Sequence, residues 1–199
     1  MTDTFSPLPL NGQDLNDNPQ RTGYVALVGR PNAGKSTLLN QMLGEHLSIV
    51  TPKAQTTWQR VTGVLTEDSD QIVFLDTPGL LEAKDLLQRS MLGAALEALA
   101  EADLVLLVID TTAAPAKRDE RRILTALEEA RAPRLVALNK VDVAPETAIV
   151  EWESWIKQHV NAPAFRISAE TGEGTSELLH ELREGLPEHP FLYPEDEIA

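Results

Sequence analysis

From Tyr24 onward the chain alternates between short apolar runs and longer stretches whose apolar residues recur at helical spacing. The runs YVALVG (24–29), QIVFLD (71–76), DLVLLVID (103–110), RLVALN (134–139) and AFRIS (164–168) have the length of strands. Most are apolar on both faces, the pattern of a parallel sheet covered by helices on each side. RVTGVLT (60–66) alternates more clearly and predicts an edge strand antiparallel to its neighbour. Helices are predicted over 35–43, about 86–100, 118–131, 145–159 and 175–185. Trp152 and Trp155 lie on one face of the fourth of these, which predicts core packing. The alternation implies a doubly wound α/β domain: a six-stranded, mostly parallel sheet with helices on both faces. Ligands of such sheets bind beyond the carboxyl ends of the strands, so the chemistry is expected just after the runs named above.

Composition narrows the function classes. The 199 residues carry a formal net charge of −14, which argues against a nucleic-acid surface, because counterion release needs clustered Lys and Arg. There are no cysteines, so disulfides and thiolate metal sites are excluded, and the four histidines lack ligand spacing. No apolar stretch reaches the roughly 18 residues of a spanning helix. Residues 1–21, rich in Pro, Asn and Asp, lack the basic start and apolar stretch of a signal peptide and read as a disordered tail. The folded domain is expected over 22–186, in a cytoplasmic setting.

The first strand runs directly into GRPNAGKS (29–36), which fits G-x-x-x-x-G-K-[ST] between a strand and a helix. Gly29 and Gly34 let the backbone wrap around phosphate oxygens, and the amides from Asn32 and Ala33 to Thr37 supply donors at a helix N-terminus. Lys35 is placed to reach the β- and γ-phosphates, and the Ser36 hydroxyl to bind Mg²⁺. DTPG (76–79) ends the next parallel strand. Asp76 suits the acidic residue that holds Mg²⁺ through water, and Gly79 permits close approach of its amide to the γ-phosphate. NKVD (139–142) selects the base. The Asp142 carboxylate can accept from N1–H and the 2-amino group of guanine, neither of which adenine offers. Asn139 can tie this loop to the phosphate loop, and the Lys140 stem can cover the base. In ISAETG (167–172), Ser168, Ala169 and Glu170 close the pocket, with the Ala169 amide expected to face guanine O6. KAQTTWQR (53–60) holds the switch segment that must offer a hydroxyl to Mg²⁺; Thr56 and Thr57 are the candidates, with Thr57 preferred.

Taken together, GRPNAGKSTLLN, KAQTT, DTPGLL, NKVD and ISAETG resemble the GTPase domain of Era-type GTPases, a group within the translation-factor-related class, from about residue 22 onward. The resemblance implies a P-loop NTPase fold of the Ras-like kind, GTP and GDP as ligands, Mg²⁺ as cofactor, and slow hydrolysis of GTP to GDP and phosphate. It also implies partners, namely 16S ribosomal RNA and the small ribosomal subunit, in whose assembly the family acts. Residues 187–199 resemble the linker toward the family's RNA-binding KH domain, which this chain does not contain. Peripheral association with the inner face of the cell membrane is compatible with the resemblance. Two positions depart from related proteins. Trp58 stands where Era-type proteins have Arg, and Leu80 stands where Ras-type GTPases have the glutamine that orients the attacking water. Catalytic positioning is therefore expected from the backbone around Thr57 and Gly79, a water network, and K⁺ held with help from Asn32, as in relatives with this asparagine. Asn32 has an alternative reading, as a residue suited to a tight turn. A tRNA-modification-type GTPase domain and a nucleotide-gated binding module without hydrolysis are the alternatives to a hydrolysing switch. A P-loop kinase or ATPase is disfavoured by NKVD.

Overall fold

A computed structural model describes residues 20–44, 61–67, 69–77, 99–128 and 130–193. Its elements are β1 (Arg21–Gly29), α1 (Lys35–Leu43), β2 (Val61–Glu67), β3 (Asp70–Asp76), β4 (Leu104–Asp110), α2 (Lys117–Glu128), β5 (Arg134–Asn139), α3 (Glu146–His159), β6 (Ala164–Arg166) and α4 (Thr175–Glu184). Of the helix expected at about 86–100, only residues 99 and 100 are described, and both are helical. The tail over 1–19, the switch segment with Thr56, Thr57 and Trp58, and the positions of Gly79 and Leu80 lie outside the described residues.

The six strands form one sheet in the order β2-β3-β1-β4-β5-β6. β2 runs antiparallel to β3, and every other neighbour pair is parallel. Alternate residues divide the core between the two faces. Val25 and Leu27 pack with Phe74, Leu106 and Val108 under α1 and α4. Ala26 and Val28 pack with Val105, Leu107 and Ile109 under α2 and α3. β4 is buried from Leu104 to Ile109, and each fully buried leucine contributes roughly 1.5–3 kcal/mol. Trp152 and Trp155 both lie in the second layer, edge to face with ring centroids 5.6 Å apart. Core packing is thus their observed role.

Two strand boundaries differ from the sequence reading by more than one residue. β1 opens at Arg21 rather than at Tyr24, because Arg21 to Gly23 pair with Asp70 to Ile72 through the backbone. β6 stops at Arg166, and Ile167 and Ser168 leave the strand. The chain beyond α4 returns along the start of the sheet. Thr22 N–H donates to Pro187 O at 3.1 Å and His189 N–H to Gln20 O at 3.0 Å. Farther on, the buried Gln71 side chain accepts from the amides of Leu192 and Tyr193, both at 2.9 Å, and donates to Tyr193 O at 2.8 Å. Residues 187–193, expected to begin a linker, are hydrogen-bonded to β1 and β3 in this way.

Candidate guanine-nucleotide site

Buried polar side chains mark one end of the sheet. Thr77, Thr111, Asn139 and Ser168 are all buried and stand at or just beyond the carboxyl ends of β3, β4, β5 and β6. Each needs a partner there, since an unpaired buried polar group costs about 1–3 kcal/mol. Their partners draw the loops into one site.

The loop after β1 makes a tight turn closed by Ala33 N–H to Arg30 O at 3.1 Å. Asn32 lies in the left-handed region at φ 64° and Gly34 at φ 95°. Asparagine tolerates that conformation, whereas at Gly34 a side chain would also strike Asn139, its Cβ colliding with Nδ2. Gly29 also sits where β1 packs closely on a neighbouring strand. Its absent Cβ leaves room for the Val108 carbonyl, which a Cβ would meet at 2.6 Å, so it allows close packing of β1 on β4. The Lys35 ammonium folds back over the loop and donates to Gly29 O at 2.9 Å and Arg30 O at 3.1 Å. Ser36 and Thr37 are exposed in the first turn of α1, which carries no acidic residue. α3 and α4 have Glu146 and Glu177 there. The positive end of the α1 dipole is therefore uncompensated by its own side chains and suits an anion.

Asn139 ends β5 and is the hub. Its Nδ2 donates to Ala33 O at 2.8 Å, and its Oδ1 accepts from Ala169 N–H at 2.9 Å. One buried amide thus joins the phosphate loop to the loop after β6, the tie expected of this residue. The Ala169 amide, expected to face a base oxygen, is instead engaged by Asn139. Ser168 shapes the same loop: its hydroxyl accepts from Thr171 N–H at 3.2 Å, and its carbonyl from Gly172 N–H at 2.8 Å. Glu170 is exposed beside it.

Lys140 follows in the left-handed region, φ 71°, and its carbonyl accepts from Val143 and Ala144 N–H. Its ammonium donates to Asp110 Oδ2 at 2.6 Å. Asp110 also accepts from Thr112, from N–H at 2.9 Å and from the hydroxyl at 2.6 Å. Burial works to raise the Asp110 pKa, but the hydrogen bonds from Lys140 and Thr112 outweigh it and hold the carboxyl below its usual range. Asp142, two residues beyond Lys140, is exposed. On the neighbouring side, Thr77 donates to Leu27 O at 2.6 Å, anchoring the chain where it leaves β3 after Asp76.

A sequence profile of the family described as 50S ribosome-binding GTPase matches residues 24–140, more than half of the chain. The chain belongs to that family. Among curated relatives, GTPase Era of Dinoroseobacter shibae is 44% identical over 188 residues, covering 92% of this chain and 61% of its own length. GTPase Era of Geobacter metallireducens is 40% identical over 186 residues, with the same two coverages. The chain thus spans about three fifths of the length of these relatives. Among solved structures, Era of Aquifex aeolicus bound to GDP·AlF₄⁻ matches with a TM-score of 0.74 at 41% identity, covering 90% of this chain and 62% of that one. Era in complex with MgGDPNP and a segment of 16S ribosomal RNA matches with a TM-score of 0.75 at 41% identity, covering 90% and 61%. These matches bear out the resemblance to Era-type GTPases and the P-loop fold with its mostly parallel sheet. Among the described residues, no helix is long and apolar enough to cross a membrane.

The sequence reading brought Gly29 to Thr37, Asp76, Asn139 to Asp142 and Ser168 to Glu170 to the same end of the sheet as the structure does. It missed Asp110, Thr111 and Thr112. A usable signal was present, because Asp110 ends the apolar run LVLLVI as Asp76 ends IVFL.

Proposed function

We propose that this chain is the GTP-binding and GTP-hydrolysing part of an Era-like switch. The Asn139 amide carries the reading, because it fixes the base-selecting loop against the phosphate loop before any ligand arrives. A nucleotide held there spans both, with its phosphates at the α1 N-terminus and its base beside Lys140 and Asp142. Lys35 is the cation for the β- and γ-phosphates, displaced from the loop carbonyls it now contacts. The Asp142 carboxylate accepts two hydrogen bonds from guanine, whereas with adenine it would be left desolvated and unpaired.

The donor set also suits a magnesium ion. Ser36 offers a hydroxyl at the start of α1, Asp76 a carboxylate at the end of the adjacent strand, and Thr57 a second hydroxyl; hard oxygen ligands are what Mg²⁺ takes. Bound there, it would supply positive charge to offset that of the phosphates. The loop backbone and Lys35 orient the terminal phosphate for in-line attack by water, with GDP as the leaving group. Leu80 contributes neither base nor hydrogen bond, so we assign the positioning of that water to the backbone at Thr57 and Gly79 and a water network; Asn32 would help hold K⁺, which would add positive charge near the phosphates. A slow intrinsic rate follows.

The relatives are named GTPase Era, and one solved Era holds a 16S ribosomal RNA segment. We therefore place the switch in small-subunit assembly in the cytoplasm, with 16S ribosomal RNA as its partner. Nucleotide binding and turnover measured with GTP and ATP test the assignment. GTP should bind and be hydrolysed in preference to ATP, and Asp142→Asn should transfer the preference from guanine to xanthine nucleotides. Unchanged GTP affinity in that variant would remove the base assignment.

A further inference from the structure

A residue outside the motifs sets the position of one inside them. Asp110 ends β4 directly opposite Asn139 in the parallel β4–β5 register. Its carboxylate holds the Lys140 ammonium at 2.6 Å, and both polar groups of Thr112 hold the carboxylate in turn. The next residue, the buried Thr111, fixes the other side of the same loop, donating to Asn139 O through its hydroxyl at 2.7 Å and its amide at 3.1 Å. Lys140 is therefore tied at both ends. Its backbone is set in the left-handed region by the turn that follows, and its ammonium is set by Asp110. The four-carbon stem between these points has few remaining rotamers, and the Lys140 side chain is two-thirds covered.

We propose that Asp110, locked by Thr112, is a positioning residue for guanine-nucleotide recognition, presetting the Lys140 stem as one wall of the base pocket. The inference rests on the reading of Asn139 to Asp142 as the base-selecting segment. A free lysine loses side-chain entropy when it is immobilised. With Asp110 in place, that loss is taken during folding and not on binding, which is how preorganisation raises affinity. Asp110 acts through Lys140 and has no assigned contact with the nucleotide.

The test is a double-mutant cycle on the full chain, with GDP and GTP affinity and release rates measured for Asp110→Ala, Lys140→Met and the pair. Asp110→Ala should weaken GDP and GTP equally, by about tenfold, mainly through faster release. In the Lys140→Met background the same change should have no further effect, an outcome that a merely structural role for Asp110 would not give. Asp110→Asn keeps one acceptor oxygen, enough for Lys140 or for Thr112 but not for both, and should recover part of the loss; it serves also if the alanine variant does not fold. Asp142→Asn is measured beside them. If it switches to xanthine nucleotides while the Asp110 variants bind as wild type, or if the two losses simply add, the positioning role is overturned. If Asp142→Asn leaves guanine binding unchanged, the base-pocket reading fails and the proposal falls with it.

Discussion

Asn139 shows why one residue type is required at a site. Its amide donates to Ala33 O and accepts from Ala169 N–H while buried. Aspartate would lack the donor, and a shorter side chain would leave two buried backbone groups unpaired at about 1–3 kcal/mol each. The same logic explains Gly34, where the approach of Nδ2 leaves no room for a Cβ. Asn32 is less constrained, because its left-handed backbone alone accounts for asparagine in the turn. A separate ionic role must therefore appear in turnover. GTP hydrolysis is expected to be faster in KCl than in NaCl, and Asn32→Ala is expected to remove the difference; equal rates in both salts for the wild type would refute K⁺ binding. Asp110 carries a sign with respect to acid. Its folded pKa is depressed, so its contribution to stability is present above the unfolded carboxylate range, near 4, and is lost as pH falls through the depressed value.

At the scale of elements, the segment after α4 behaves as part of the sheet. Gln71 is fully buried at the start of β3 and satisfies the backbone of Leu192 and Tyr193, while also donating to Thr66 Oγ1 at 3.1 Å. Gln71→Leu keeps the volume but strands those backbone groups. It should lower stability by about 1–3 kcal/mol in urea unfolding, with little effect on nucleotide affinity. A change below about 0.5 kcal/mol would show that residues 190–193 are not fixed by this side chain. None of this was legible beforehand. The segment has no periodicity, and its anchor is a glutamine 122 residues away. Likewise Arg21 to Gly23 lack apolar character and are strand only because the neighbouring backbone of β3 pairs with them. The helices and the buried strands were readable because their apolar spacing is local. The motif loops were readable because each lies within a few consecutive residues. Asp110 could be picked out as the carboxylate ending an apolar run, but its role could not, since its partner Lys140 is 30 residues away and the pairing exists only once β4 and β5 are side by side.

For the whole molecule, charge decides what the domain can do alone. A net charge of −14 disfavours contact with phosphodiester backbones, so RNA binding by these 199 residues alone is not expected. This chain by itself should show no measurable affinity for a 16S ribosomal RNA fragment at 150 mM salt, in either nucleotide state; salt-sensitive binding would relocate the RNA surface to this domain. The places where the described fold opens and closes give it a further property. Gln20 and His189 share a hydrogen bond where β1 begins, while the nucleotide loops lie at its far end, roughly 30 Å along a nine-residue strand. Entry and exit are thus adjacent sockets on the pole away from the chemistry. The domain is wired like a plug-in cassette, which can be spliced beside other modules or circularly permuted across that junction without threading a connection past the nucleotide.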